Sequence, residues 1–494
     1  MSIATSSHNV SLLQKPIPVI LMVIFALLSS FLIATKGMEL GILMVVLPLS
    51  LVFIGGVFIN PKWGVVTVLI QGFFVAGLTR YVPFQWGLTI DIVLVLTYLA
   101  TFFKAFKTRV PWHRANSVMT VLALVWYGYL LFQIVNPEAR SIAAWFYVMR
   151  GLGLYMLLII PLVFMYFNKL KDMKVFFIIW GLISMLATLK GIQQFAFGVD
   201  AWEQAWLDGG PYKTHVLFGK LRVFSFYPDS GQFGAAQAHT GAVFALLVVY
   251  LKKNYPFRFF CLLVSGLGFF GMLMSGTRGA IAVPGAAGIM FLIIRKNIPV
   301  LIAGGLLLLS IFVFFKYTNI GQGNAEIARM RTAFDPNDAS FQVRLNNQKL
   351  FANYLASRPF GGGVGSAGDW GKRFSPNTFL ANMPTDSWYV AIWAETGVVG
   401  LVIHLFVKFF ALIAGAYYAM FRLKNPMLKA FISALTCGML GIMLASYGNS
   451  VWGQLPTAII MYMGLAFIFL SPRLDKQIAR EEHKRMLNLQ GNKI

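Results

Sequence analysis

Long apolar runs recur along almost the whole chain, broken by short polar connections. They fall at about 17–35, 40–59, 63–79, 88–103, 117–135, 146–167, 174–195, 234–251, 257–274, 279–294, 298–315, 387–421, 427–447 and 452–471. A helix needs about 20 predominantly apolar residues to cross a bilayer. The pattern therefore predicts an all-α polytopic membrane protein. Several runs are short or glycine-rich, so the expected number of transmembrane helices is about 12–14. No A-x-A-like cleavage site follows the first run and further spans do, so it reads as a retained helix and not a signal peptide. An even count of fourteen puts both termini on one side. Only two connections are long, at about 196–233 and 316–386. They divide the chain into N-terminal transmembrane helices (1–195), a first loop (196–233), a second transmembrane group (234–315), a large loop (316–386), C-terminal transmembrane helices (387–471) and a charged tail (472–494).

Composition agrees. The chain is 58% hydrophobic and 12% charged, against about 25% charged in soluble domains. It cannot cover its surface in water, which excludes a soluble enzyme and a disordered protein. The net charge of +24 suggests nucleic acid at first sight, but its distribution gives another explanation. Connections on one side carry Lys15, Lys62, Lys104, Lys107, Arg109, Arg114, Lys169, Lys171, Lys174, Lys252, Lys253, Arg258, Arg295, Lys296, Arg422, Lys424, Lys429 and the basic tail. This side holds 23 of the 41 Lys and Arg and only four of the 17 acids. Such an excess marks the cytoplasmic side. Both long loops then lie on the non-cytoplasmic face, the tail after Arg473 is expected to form a short cytoplasmic helix, and no nucleic-acid partner is implied.

Cys261 and Cys437 sit inside apolar runs, so no disulfide framework is expected. The chain has no G-x-x-x-x-G-K-[ST], no H-E-x-x-H and no Cys/His pair at ligand spacing. No ATP-driven motor, metal or other cofactor is indicated.

The large loop can be read further. Asn324–Phe334 has a helical pattern. Asp335-Pro336-Asn337-Asp338 forms a turn whose last residue can cap a helix over about Ala339–Ser357. The glycine run Gly361-Gly362-Gly363-Val364-Gly365 follows Arg358-Pro359. It is either a flexible connector or a backbone cradle for phosphate. Residues 316–385 carry eight basic residues against four acids, on a face where no basic excess is expected.

Three arginines on that face stand out. Arg222 lies in R-V-F-S-F-Y-P-D-S-G-Q-F-G, Arg278 in S-G-T-R-G-A and Arg344 in F-Q-V-R-L-N-N-Q-K-L-F. Arginine suits bidentate phosphate recognition, and three converging on one face can hold a diphosphate. Each also has a plainer role: Arg222 can pair with Asp229, Arg278 can anchor a helix end at the headgroups, and Arg344 can be a solvated helix position. In M-P-T-D-S-W-Y, Thr385 or Asp386 can cap the next helix, or Asp386 can take a proton from an acceptor hydroxyl. Glu395 and Asp91 are rare acids inside apolar runs, which default to functional or paired roles; Lys190 and Arg150 are possible partners of Glu395.

Taken together, these elements resemble the O-antigen ligase / Wzy polymerase superfamily over about residues 210–450. The resemblance rests on the Arg–aromatic–Pro loop (Arg222 to Gly234), S-G-T-R-G (Ser275 to Gly279), the external loop with its arginine helix, R-P-F-G-G-G-V-G-S (Arg358 to Ser366) and W-Y-x-x-x-x-A-E-T-G-x-x-G-L (Trp388 to Leu401). It implies a GT-C-like fold and a metal-independent glycosyltransferase. The donor would be a glycan on a polyprenyl diphosphate, and a glycan or glycolipid hydroxyl would be the acceptor. Arg222, Arg278 and Arg344 would hold the diphosphate, with Asp386 or, failing it, Glu395 as base. Ligases of the family usually carry His-Asn where this chain has Asp386-Ser387. A transporter or flippase of lipid-linked glycans is the alternative. A transporter usually shows internal repeats and midplane polar sites, whereas here the polar residues cluster in the loops. A non-catalytic assembly subunit would not require three arginines on one face.

Overall fold

The computed structural model describes residues 16–491 except Gly37, Phe218, Lys253, Asn324, Ala333, Phe334 and Pro336. Lys15, Lys253, Pro336 of the expected turn, and both ends of the expected 324–334 helix lie outside the described residues. The protein is all-helical apart from a two-residue pairing of Val216–Leu217 with Lys220–Leu221. Among the described residues, twelve helices are long and apolar enough to cross a membrane, from Lys62–Tyr81 to Thr457–Asn488. Helices Pro16–Lys36 and Met38–Ile59 precede them, so helices occupy all fourteen expected runs.

Local chemistry sets many of the boundaries. Ser117 caps Val118–Phe132, Asn297 caps Ile298–Tyr317 and Asn425 caps Pro426–Gly448. In each case the side-chain oxygen accepts one of the first backbone N–H groups, which have no intrahelical partner. Ser230–Tyr250 runs through the centre. It packs so closely on Tyr255–Met274 that a side-chain carbon at Gly268 would lie 2.7 Å from the backbone nitrogen of Gly241. Small residues at the crossing allow this approach. By contrast, Ile298–Tyr317 has no buried residue.

The basic connections gather at one end of the bundle. There Lys62 pairs with Asp172, and Asp475 accepts the backbone N–H groups of Lys424 and Asn425. Both long loops lie at the other end. The tail corrects one expectation: it is no separate short helix but the continuation of the last span, Thr457–Gly491, through Pro472. Proline removes the donor that would have bonded the Ile468 carbonyl. The hydroxyl of Ser471 donates to that carbonyl instead, at 2.7 Å.

A larger departure concerns the expected run 387–421. The helix Trp388–Arg422 is broken at Gly397, where φ is 69° and ψ is −174°. Trp388 Nε1 donates to His404 Nε2 at 2.9 Å, although sixteen helical residues span about 24 Å. The chain therefore climbs from Trp388 to Thr396, reverses at Gly397 and descends through residues 398–422. The glycine run docks on this apex. Gly362 N–H donates to the Ala394 carbonyl at 2.9 Å, and Val399 N–H to the Pro359 carbonyl at 3.3 Å. Residues 361–367 are buried. The run is thus neither a flexible connector nor a phosphate cradle; it is the packing partner of a broken helix.

At Gly397 a side-chain carbon would lie 2.0 Å from the Pro359 oxygen, with φ already positive. Gly397→Ala is therefore expected to destabilise the protein by about 1–3 kcal/mol, measured as a lower melting temperature in detergent.

Candidate functional site

At the end away from the basic connections lies a cavity of about 670 Å³. Arg222, Arg278, Arg344 and Asp386 all line it. Its further charged lining is Lys213, Asp229, Asp335 and Asp338, with His215 and Asn449 among the neutral groups. Four cationic and four anionic side chains thus face one space, and the lining balances in formal charge although the protein is strongly basic.

Arg222 is placed by the 201–229 segment. Its backbone N–H bonds the His215 carbonyl at 2.7 Å, continuing the short hairpin. Buried Arg80 holds the chain beyond it. Its guanidinium donates to the carbonyls of Ser225 and Tyr227 and lies 4.4 Å from the ring centroids of both Trp206 and Phe224. Ser225 sits at φ 52°, and Gln194 accepts its N–H at 2.8 Å. Arg222 then donates to the Thr214 carbonyl and to Thr277 Oγ1, at 3.2 and 3.1 Å. Asp229 uses a carboxylate oxygen to cap Ser230–Tyr250 through Gln232 N–H.

The next residue after Thr277 is Arg278, at the tight turn between two spans. Its guanidinium bonds Asp338 and Thr332, each at 2.6 Å. This ion pair ties the turn to the large loop. The second oxygen of Asp338 accepts Phe341 N–H at 3.1 Å and caps the helix Ala339–Leu355, as expected from the turn. That helix carries Arg344, half-buried beside Gly448. Among the described residues no hydrogen bond or ion pair engages Arg344. Thr277 and Asp338 therefore link the three arginine-bearing segments through short contacts.

Asp386 is exposed at the cavity with φ 50°. Neither it nor Thr385 caps the following helix; the cap position is Ser387, whose side chain makes no capping bond. The Ser387 hydroxyl instead reaches the Ser446 carbonyl at 3.3 Å. Glu395 does not line the cavity. It is buried at the apex of the broken helix, against Gly361 of the glycine run. Its considered partners are used elsewhere: Arg150 pairs with Asp91 at 2.6 Å, and Lys190 with Asp200 and Glu203 at 3.3 Å. Cys261 and Cys437 are free and buried, and no metal-ligating cluster occurs among the described residues.

His215, Asp338 and Asn449 were not singled out from the sequence. Only Asp338 left a trace there, as a helix cap. His215 Nδ1 faces the Pro211 carbonyl at 3.0 Å, and Nε2 is buried without a hydrogen-bond partner among the described residues.

Fold and site define a polytopic helical membrane protein with a polar chamber at one end, lined by arginines from three segments and an exposed aspartate. Residues 259–405 match the family model described as O-Antigen ligase. The matched segment contains Arg278, Arg344, Asp386 and Glu395; Arg222 precedes it. Over this segment the resemblance to the O-antigen ligase / Wzy polymerase superfamily holds, and it indicates a membrane function of that type. A search of curated proteins found no match.

Burial lowers the pKa of His215, and the bond to the Pro211 carbonyl only partly opposes this. Protonation is therefore favoured in the unfolded chain. The contribution of His215 to stability should be full above about pH 6.5, the ordinary value, and lost as pH falls through its lower folded pKa. His215→Asn should flatten this acid limb, measured by melting temperature between pH 7.5 and about 5.

Proposed function

We propose that this protein is a glycosyltransferase that moves a glycan from a polyprenyl diphosphate to an acceptor hydroxyl, without a metal, at the periplasmic face of a bacterial inner membrane. The carrying observation is the single cavity lined by Arg222, Arg278, Arg344 and Asp386. The match to the O-antigen ligase family over residues 259–405 supports the same reading, as does the lysine and arginine excess at the opposite end. Ligase and polymerase share this chemistry.

In this reading the arginines hold the donor diphosphate. The acceptor oxygen attacks the anomeric carbon, the bond from that carbon to the diphosphate oxygen breaks, and its electron pair leaves with the lipid diphosphate. The acceptor proton passes to Asp386. Charge that grows on the leaving oxygens meets guanidinium groups already fixed by Thr277, Thr214 and Asp338. Prepositioned donors of this kind need no reorganisation during the reaction. Asp386 is the better base than Glu395 because it faces the cavity, whereas Glu395 is enclosed in the apex.

Arg278→Ala or Arg344→Ala should lower transfer by about 10²–10³-fold, a loss typical of removing one such donor. Lysine at either position should restore it only in part, lacking the bidentate fork. Purified protein with a lipid-linked glycan donor gives the measurement.

Asp386→Asn separates the base from a structural role. Asn tolerates positive φ as Asp does and Asp386 caps nothing, so the variant should fold normally and lose transfer. Near wild-type transfer by the Asn variant would remove Asp386 from the mechanism.

Cysteine labelling from outside intact cells should reach position 369 and miss position 484; the reverse would reject the orientation. The glycan profile of a deletion strain then distinguishes polymerase from ligase. One-unit chains indicate a polymerase, and full-length chains left on the lipid carrier indicate a ligase.

A further inference from the structure

Lys408 lies in the descending arm of the broken helix, eleven residues beyond Gly397. It is only 3% exposed, and its Nζ has no hydrogen-bond partner among the described residues. Aromatic rings surround it instead. Nζ lies 3.8 Å from the ring centroid of Trp452 and 5.7 Å from those of Trp388 and Tyr389. One turn earlier His404 accepts the Trp388 indole N–H. The Trp388 ring also fills the space over Gly453, where a side-chain carbon would lie 1.9 Å from it.

The placement of these rings connects Lys408 to the cavity. Trp388 and Tyr389 begin the ascending arm, two and three residues after Asp386. Trp452 directly follows Ser450 and Val451, which line the cavity beside Asp386. The cage therefore joins the two segments that form this wall. A methionine of similar length would fill the space without burying a charge, and burying an unpaired ammonium is costly. Protonated, Nζ adds direction. It is attracted to ring faces, most strongly to tryptophan and most strongly when desolvated. It thereby fixes the orientation of the rings, which an aliphatic chain does not.

We propose that Lys408 is a positioning residue: its caged ammonium ties the start of the ascending arm to the 449–456 loop and so holds Asp386 in the cavity. The catalytic consequence rests on the transferase reading above; the geometric consequence does not.

Two measurements on the full-length protein test this. The first is transfer kinetics of Lys408→Met and Lys408→Arg. The Met variant should lose about tenfold in kcat, with KM for the lipid-linked donor and the melting temperature little changed. Arg, which keeps the cation, should recover most of the loss. The second is the labelling rate of an Asp386→Cys thiol by an impermeant maleimide. Lys408→Met should change that rate, and Lys408→Arg should restore it. Should the Met variant fail to accumulate, Trp452→Phe, which retains a ring with a weaker face, should show a smaller shift of the same sign in both measurements.

Unchanged labelling in the Met variant, or the same change in both the Met and the Arg variants, overturns the proposal. So does a kcat loss accompanied by an equal rise in donor KM and a collapse in melting temperature, which marks general packing. A labelling shift rescued by Arg in a protein without any transfer activity supports the positioning role and overturns the transferase reading instead.

Discussion

The reversal of the chain at Gly397 is the constraint around which this end of the molecule is built. A helix interrupted within a membrane protein leaves backbone donors and acceptors without intrahelical partners, and lipid cannot supply any. Protein groups supply them here. Gly362 N–H takes the Ala394 carbonyl, the Pro359 carbonyl takes Val399 N–H, and the Tyr129 hydroxyl donates to the Thr396 carbonyl at 2.6 Å. Glu395 lies buried at the same junction. The glycines follow from this arrangement. Gly361, Gly363 and Gly365 all have positive φ, and each presses on backbone: Gly397, Ala139 and Ala144 respectively. A side chain would hold the loop off the apex and leave the broken ends open.

The reversal also delivers the start of the ascending arm to the interior of the bundle. A straight helix over the same residues would have carried Trp388 far from His404. Folded back, the arm brings Asp386 against Gly448, Asn449 and Ser450, in the cavity that the arginines line. The charges there are balanced, but they are not equally committed. Asp338 is divided between Arg278 and a helix N-terminus, and Asp229 caps a span. Arg344 and Asp386 engage no described residue through a hydrogen bond or ion pair. In the proposed reaction a neutral lining can therefore still present a cation to the diphosphate and a carboxylate to the hydroxyl.

Much of this was legible in the sequence because it rests on local rules. Fourteen apolar runs became helices, and Asp338 caps the arginine helix where the Asp335–Asp338 turn placed it. Arg222, Arg278 and Arg344 were grouped because span counting put them on one side. What could not be read was direction. The stretch W-Y-V-A-I-W-A-E-T-G-V-V-G-L is apolar and helix-compatible throughout, and one glycine within it is ordinary. Only tertiary contacts with residues 359–362 make Gly397 a reversal, and without it Glu395 reads as an acid inside a span. The charged tail after Arg473 read as a helix of its own, whereas the last span continues into it through Pro472, where the Ser471 hydroxyl takes the Ile468 carbonyl. His215 gave no pattern at all, since its role depends on Pro211 and on the rings of Trp206 and Phe224, which an irregular loop folds onto it.

Asp386 combines two conditions that act against each other. It stands immediately before the cap of a short helical arm, and the partial positive charge of a helix N-terminus favours its anion. A stabilised anion accepts a proton less readily. Yet the arm is short, with residues 388–396 between the cap and the break, so its dipole sums over few peptides. The carboxylate also makes no capping bond that would hold it on the helix axis. Its left-handed backbone, with φ 50° in a residue that is not glycine, turns it away from the position a capping aspartate would take. Such a conformation persists only where surrounding structure over-determines it. Here Ser387 is held to Ser446, Trp388 to His404, and Tyr389 to the Met443 carbonyl at 2.7 Å. Three successive residues are thus pinned to neighbouring helices directly after the aspartate. The fold fixes the backbone on one side of Asp386 and leaves its side chain to the cavity, which is the arrangement that the proposed proton acceptor requires.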